Sequence, residues 1–225
     1  MKRAARNSSR FPMTAALALL SLLPLARTVA ATDTQLWTEA RVKAKLSKRF
    51  DLLVENELRF GDDISHHDRL SWMAGVVWHP TKRLTLSPRW EYITDDPVDD
   101  VRSYENRFML VTSLQLPVKI VEATLTARIE YRLRHDQSDG WRFRPRLKLE
   151  HEVGPSSWGL SAYTLDELFY DTRDAAWTRN RLYAGLEKKL GKDLSLDFYY
   201  CRQHDLRAGG TDLNIIGISM RLDID

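Results

Sequence analysis

The 225-residue chain contains one cysteine, Cys201, and no second thiol with which it could pair. An internal disulfide framework and a Cys-x-x-Cys metal site are therefore excluded. Beyond residue 31, no apolar run approaches the ~18 residues that a membrane-spanning helix needs. Hydrophobic residues nevertheless make up 43% of the chain, which is too many for a disordered protein.

The chain also lacks a large excess of either charge. Its formal net charge is +3, from 34 Lys and Arg against 31 Asp and Glu. Five of the cations precede residue 32, where no acidic residue occurs, so the rest of the chain carries 29 cations and 31 anions. A nucleic-acid-binding protein needs a basic surface in its working form. The charge balance therefore argues against nucleic acid as a partner.

Residues 1–31 have the pattern of a secretory signal peptide. Cations from Lys2 to Arg10 precede an apolar run from Met13 to Ala26, and Val29-Ala30-Ala31 offers a cleavage site. The apolar run of ~14 residues is short for a bilayer core of about 30 Å, and no cysteine follows it to carry a lipid anchor. We expect export through a cleaved signal peptide, followed by one domain over residues 32–225.

The remaining chain is dominated by an alternation of apolar and polar residues with a period of two. In residues 122–134 every odd position is apolar and every even position is polar or charged. This period is that of β-strands with one dry and one wet face. Eleven such segments can be traced, and the eighth, Trp158 to Tyr170, is ambiguous in phase. Short turns and longer Asp-rich loops alternate between the segments, as in bacterial outer-membrane barrels.

A soluble β-sandwich also alternates, so the length of the stripes decides between the two classes. The dry stripes run about 9–13 residues and match the ~9–11 needed to span a bilayer as a strand. Aromatic residues collect near the stripe ends, as in interfacial girdles. We therefore predict an all-β fold, an antiparallel up-and-down transmembrane β-barrel. Because bacterial single-chain barrels have an even number of strands, we expect about 12 strands, with 10 as the alternative, or an unusually placed N-terminus.

The polar face of such a barrel turns to the lumen. The predicted lumen-lining charged residues are Arg107, Arg128, Glu130, Arg132, Arg142, Arg144, Arg146, Glu150, Glu167, Arg181 and Glu187, and the same faces carry Glu105, Glu122, Arg134 and Arg179. A cationic wall of this kind would make a narrow channel for small polar or anionic solutes. A salt-bridged lumen with a structural role is the other interpretation, and the need of shielded charges for partners favours it.

The strongest candidate for other chemistry is His66-His67-Asp68, beside acidic loop residues. These are Asp62, Asp63, Asp95, Asp96, Asp99 and Asp100. A His–Asp pair could serve acid–base catalysis and clustered Asp could hold a cation. Consecutive residues in an extended loop point apart, however, and no Gly-x-Ser-x-Gly motif supplies a nucleophile. We predict no enzyme, no catalytic residue, no metal and no cofactor. The alternatives are a rim-sited enzyme acting on lipid or peptide and a soluble periplasmic β-sandwich or lipid carrier.

Four short motifs resemble those of the domain of unknown function 2490 family. They are Glu105-Asn106-Arg107-Phe108, Asp166-Glu167-Leu168-Phe169, Arg179-Asn180-Arg181-Leu182 running into Gly185-Leu186, and Phe198-Tyr199-Tyr200. The resemblance covers about Gln35 to Leu222. It implies an exported outer-membrane β-barrel without an assigned activity, so it assigns no catalytic residue. Such a barrel would lie in the cell outer membrane, in contact with lipid and lipopolysaccharide, after insertion by the barrel assembly machinery.

Overall fold

A computed structural model of the chain describes residues 32–96, 101–135 and 137–225. The predicted signal peptide, residues 1–31, lies outside the described residues. Within the described ranges, eleven β-strands form the fold. They are β1 Thr32–Lys45, β2 Phe50–Gly61, β3 His66–Trp78, β4 Leu84–Asp95, β5 Ser103–Leu116, β6 Glu122–Arg134, β7 Gly140–Glu152, β8 Leu160–Asp171, β9 Ala176–Lys189, β10 Leu194–Asp205 and β11 Asp212–Ile224.

The strands close into a barrel in chain order, with β1 hydrogen-bonded to β11. Each consecutive pair is antiparallel, whereas β1 and β11 run parallel, with Leu36 opposite Ile216. The prediction of an all-β barrel is confirmed, but the expected count of 12 or 10 strands is wrong. With an odd number of up-and-down strands the last runs in the direction of the first, so the closing pair must be parallel. The alternation of apolar and polar residues had marked eleven segments. The expectation of 12 or 10 strands came from the even strand number of bacterial single-chain barrels, which this barrel does not follow.

The odd strand number places the two ends of the barrel chain at opposite rims. We call the rim at Thr32 the amino end and the rim at Ile224 the carboxyl end. The connections span four to seven residues at both rims, so the expected alternation of short turns and long loops is wrong. The Asp-rich stretches belong in part to the strands: Asp95, Asp171 and Asp205 each end a strand and still pair with its neighbour. Polar strand ends had been mistaken for loops.

The inner and outer faces of the barrel differ in chemistry. Inside, charged residues accompany two small apolar clusters, Trp37 with Cys201 and Ile215, and Leu53 with Met73 and Met109. Outside, the apolar stripes remain open to the surroundings, as in the exposed Leu and Ile side chains of β5, β7 and β11. The ambiguous eighth segment is now settled: the odd positions of β8 are the buried ones.

Aromatic side chains cluster near both rims on the outer face. Phe50 stacks on Trp78 toward the carboxyl end, with ring centroids 6.4 Å apart. Tyr131 packs on Trp141 toward the amino end at 4.9 Å. These pairs join neighbouring strands, because the residues lie directly opposite each other in the ladder.

One glycine has a clear packing role inside the barrel. A Cβ added to Gly217 would lie 1.9 Å from the ring of Tyr199, its cross-strand partner in β10. The bare backbone thus lets the ring lie flat against the wall. The helical structure of the described residues is a single 3-10 turn, Ser156–Trp158, and no helix among them is long and apolar enough to cross a membrane.

Candidate functional site

Inward-facing arginines converge in the lumen near the amino end. Six strands and the two loops after β8 and β10 supply them, and with Phe169 and Gln137 they enclose a cavity of about 220 Å³. Among the described residues no carboxylate lines this space, which we call the arginine cavity. Its arginines are Arg59, Arg69, Arg107, Arg132, Arg134, Arg142, Arg144, Arg173, Arg179, Arg181 and Arg207.

Acidic residues lie behind the guanidinium groups and hold them in place. Glu105 is the best-defined anchor: it accepts hydrogen bonds from Arg107 Nε at 2.6 Å and from Arg132 Nη2 at 2.6 Å. Glu167 accepts a hydrogen bond from Arg144 Nη2 at 2.9 Å. These three arginines and both acids are almost fully buried. Charge-assisted bonds of this kind fix the side-chain directions, so the cavity wall is preorganised.

Asp171 and Asp205 anchor the rim side of the cavity. Asp171 lies within 4.0 Å of four of its arginines, among them Arg142 at 3.2 Å and Arg173 at 3.1 Å. Asp205 accepts a hydrogen bond from Arg207 Nε at 2.9 Å, and this side-chain bond raises the pKa of Arg207. A single carboxylate thus serves several cations here.

The arginine cavity keeps an excess of positive charge and of free donors. Ion pairs join its eleven arginines to eight carboxylates among the described residues. These are Glu57, Glu91, Asp95, Glu105, Glu130, Glu167, Asp171 and Asp205. Four buried guanidinium nitrogens have no hydrogen-bond partner in this part of the chain: Arg134 Nε and Nη2, Arg142 Nε and Arg179 Nε. A buried donor without an acceptor is costly, and the surplus of cations favours negative charge in this space.

Phe169 is the apolar wall of the cavity. Its ring is 1% exposed and lies 4.4 Å from the guanidinium carbon of Arg144 and 4.8 Å from that of Arg181. Arg142 and Arg179 approach it at 5.8 and 5.6 Å. The ring therefore orders four guanidinium groups through cation–π contacts without adding a negative charge.

A second interior cavity, of about 310 Å³, lies next to the first in mid-lumen and carries both charges. We call it the mixed cavity. On its wall Arg41 bonds to Glu39 at 2.9 Å and to Glu55 at 2.6 Å. The two cavities share four lining arginines, Arg59, Arg107, Arg144 and Arg181. A shared wall means that these guanidinium groups separate the two spaces.

A third interior cavity, of about 350 Å³, opens beside the arginine cavity toward β1 and β11. Arg59 and Arg181 line this cavity and both of the others. Their guanidinium carbons lie 3.7 and 4.6 Å from the ring centroid of Trp37. Two arginines and one tryptophan therefore stand at the junction of the interior spaces.

The carboxyl end of the barrel has a different character. A rim cavity of about 670 Å³ is lined by lysines, an arginine and acidic residues together, including Lys43, Lys45 and Asp223. Lys192 pairs with Asp225 at 2.8 Å, and their hydrogen bond raises the pKa of Lys192 and lowers that of Asp225. Lys43 and Lys45 of this rim also pair with acids, Lys43 with Asp223 at 2.9 Å and Lys45 with Asp225 at 3.6 Å.

The eleven predicted lumen residues all lie on inward-facing strand positions, but they do not form one group. Arg107, Arg144 and Arg181 line both the arginine cavity and the mixed cavity, whereas Arg132 and Arg142 line only the first of these two and Arg128, Arg146 and Glu167 only the second. Glu130 is fully buried beside Arg144. Farther toward the carboxyl end, Glu150 contacts Lys148 and Glu187 contacts Arg221.

Sequence reasoning did not single out several residues that complete the site. Arg59 and Arg69 lie on β2 and β3 at positions of inward parity, so the alternation could have included them. Arg173 and Arg207 lie in loops, where alternation gives no direction. Phe169 occupies an inward position of the strand whose phase was ambiguous.

The predicted His66-His67-Asp68 group lies at the start of β3 instead of in a loop. His66 Nε2 contacts the carbonyl oxygen of Asp96 at 2.6 Å, whereas the ring of His67 packs edge-on against Phe60 at 5.6 Å. The two imidazole rings thus contact different residues. No cluster of three or more potential metal ligands occurs in the described ranges, and the predicted loop residues Asp99 and Asp100 lie outside them.

Comparison with known proteins gives one match. Neither the curated proteins nor the solved structures yielded one, whereas the model of the family described as protein of unknown function (DUF2490) matches residues 34–214. That range runs from β1 into β11 and contains every arginine of the arginine cavity. The resemblance drawn from the four short motifs is thereby confirmed: the chain belongs to the DUF2490 family of proteins of unknown function.

Proposed function

We propose that this protein is a bacterial outer-membrane β-barrel whose lumen is a narrow passage preferring small anions. The proposal has two parts, a membrane location and a selective lumen. Each has its own support and its own measurement.

The membrane location is supported by the outer face. Apolar side chains there are exposed around the wall, for example Leu114 at 40%, Leu147 at 40% and Ile216 at 49%. An apolar surface that encircles a protein is far larger than the patches that soluble monomers expose. Aromatic pairs toward both rims fit the two membrane–water interfaces, and the leader-like segment 1–31 fits export.

The selective lumen is supported by one observation above all: no carboxylate of the described ranges lines the arginine cavity. This cavity shares lining arginines with two further polar cavities, so the three interior spaces are direct neighbours in the lumen. A solute passing through must meet the guanidinium groups of Arg59 and Arg181. Fixed positive charge at a constriction favours anions and repels cations.

The membrane location is tested by fractionation and heat-dependent mobility. The full chain, expressed in a Gram-negative host, should appear in the outer-membrane fraction and migrate differently on SDS gels before and after boiling. Recovery of the chain in the soluble periplasmic fraction, without a mobility shift, would overturn this part.

The selective lumen is tested in planar bilayers under a KCl gradient. We expect unitary conductance steps with a reversal potential on the chloride side, and Arg181→Gln should move that potential about halfway to zero. Arg202→Gln is the matched control, because Arg202 lies on the outer face of β10 and bonds to Asn214 and Asp212. A membrane without conductance steps, or a cation-side reversal potential, would overturn the passage.

A further inference from the structure

The arginine cavity has more donors than the protein itself satisfies. Arg134 Nε and Nη2, Arg142 Nε and Arg179 Nε are buried and lack acceptors among the described residues. The side chain of Arg134 is only 7% exposed, so bulk water does not compensate it freely. A buried cation without a partner is unfavourable, and the charge of an anion bound beside it would reduce that cost.

The free donors come from different directions around the lumen. They belong to Arg134, Arg142 and Arg179 of β6, β7 and β9, and each of these three side chains lines the arginine cavity. A planar carboxylate is matched by one guanidinium fork. Several forks on separate strands suit a ligand with acceptor oxygens on all sides, which is a tetrahedral oxyanion.

Charge and size point to the same ligand. Within the part of the chain that the structure describes, the cavity's eleven arginines exceed their eight carboxylate partners by three, so a multiply charged anion gains more than chloride does. Its volume of about 220 Å³ corresponds to roughly seven water molecules at ~30 Å³ each. That is enough for one phosphate group with part of its hydration shell, while a polymeric anion would have to leave most of its length outside.

We infer that the arginine cavity is a binding site for one phosphate group, carried by free phosphate or by a small phosphate monoester. Arg134, Arg142 and Arg179 supply the donors, and Phe169 in the same wall contacts the guanidinium groups of Arg142 and Arg179. The inference rests on the proposed function only in that the lumen admits small solutes. Arginine is suited to this role because it stays charged and donates in forked pairs.

Isothermal titration calorimetry on the full folded barrel in detergent micelles tests the site. Inorganic phosphate should bind with a stoichiometry of one, and chloride should fail to compete at a tenfold excess. Arg142→Gln and Arg179→Gln should each weaken phosphate binding at least tenfold, in line with the loss of a charged hydrogen bond. Glycerol phosphate is the second ligand: equal affinity assigns a phosphate-group site, and much tighter binding assigns the monoester as its natural occupant.

The variants are chosen so that folding is preserved. When Arg142 is replaced, Asp171 still forms ion pairs with Arg132 and Arg173. When Arg179 is replaced, Asp205 still forms an ion pair with Arg207. Heat-dependent gel mobility verifies each fold, and Arg202→Gln on the outer face should bind phosphate like the parent protein.

Phosphate binding no tighter than chloride binding, or equal losses in Arg142→Gln and Arg202→Gln, would overturn the inference. Because no bilayer is involved, a failure here leaves the conductance result standing. If the barrel binds phosphate but does not conduct ions, only the proposed passage is overturned and the phosphate site stands.

Discussion

The two neighbouring interior cavities are built from the same residue types but in a different order. In the mixed cavity the acids stand on the wall beside the cations, as Glu39 and Glu55 do on either side of Arg41. In the arginine cavity the acids lie behind the lining arginines, where Glu105 contacts Arg107 and Arg132. A near-neutral chain can therefore present a strongly cationic surface, because the placement of carboxylates matters more than their number.

The sharing of acids is the second difference. Arg41 has two carboxylates within hydrogen-bonding reach, whereas four arginines lie within 4.0 Å of Asp171. Removing one acid from the arginine cavity therefore leaves several buried cations under-compensated. The same change in the mixed cavity leaves a second acid in place.

The largest expected effect is that of Glu105→Gln. Glu105 is almost fully buried and bridges Arg107 and Arg132, so its neutralisation should lower the free energy of unfolding by about 3–5 kcal/mol. Glu39→Gln in the mixed cavity should cost less than about 1 kcal/mol, since Arg41 keeps Glu55 and the pair is partly exposed. Urea midpoints of the two folded barrels in micelles measure the difference. Equal midpoint shifts would abolish the contrast between the cavities.

A smaller effect is expected from Phe169→Leu, which keeps an apolar wall but removes the ring. Loss of the contacts to Arg144 and Arg181 should lower the unfolding free energy by about 1–2 kcal/mol. Tyr163→Phe, in the mixed cavity, is the counterpart: it keeps a ring and removes a hydrogen bond of 2.9 Å to Asp197, at about 0.5–1 kcal/mol. The same urea titrations apply, and a smaller loss for Phe169→Leu than for Tyr163→Phe would contradict the role of the ring.

The smallest effects extend the comparison to the rim, through the adjacent residues Asp95 and Asp96. Asp95 pairs with Arg69 inside the lumen, partly buried, at 2.9 Å from Nη2, so Asp95→Asn should cost about 0.5–1 kcal/mol. Asp96 pairs with Arg102 in the exposed connection, and Asp96→Asn should leave the urea midpoint unchanged at neutral pH.

The pH dependence of the exposed pair has a fixed sign. The hydrogen bond from Arg102 lowers the pKa of Asp96 below its usual value. Any stabilisation by this group is therefore present above the unfolded-state value of about 3.9 and is lost as the pH falls through the lower, folded-state value. Between pH 7 and pH 3, the urea midpoint should change by the same amount in the parent protein and in Asp96→Asn. A distinct loss confined to the parent would show that the rim pair contributes to stability.

Much of the fold followed from local patterns. Alternation in β6 and β7 marks both the strands and their inward faces, because successive side chains in a strand must point to opposite sides. In β8 the pattern was ambiguous, since Tyr163, Leu165 and Phe169 are apolar residues that face inward. The loop lengths were misjudged because a polar strand end and a polar loop have the same composition.

The candidate site was only partly predictable. The arginines of β6 and β7 could be assigned to the lumen from parity alone, as could the acids that face them. Arg59 and Arg179 are far apart in the chain and meet only because the register and closure of the barrel bring them to one level. No local pattern carries that information.

The sequence by itself determined that the chain forms alternating strands, with charge on one face and apolar side chains on the other, although the number expected from it was about 12. A period of two is a local consequence of strand geometry and needs no tertiary contact. The tertiary structure alone decided that β1 pairs in parallel with β11, and that eleven arginines share one cavity while their acids stand behind it. Closure and register are long-range, since each depends on how all the strands pair around the barrel.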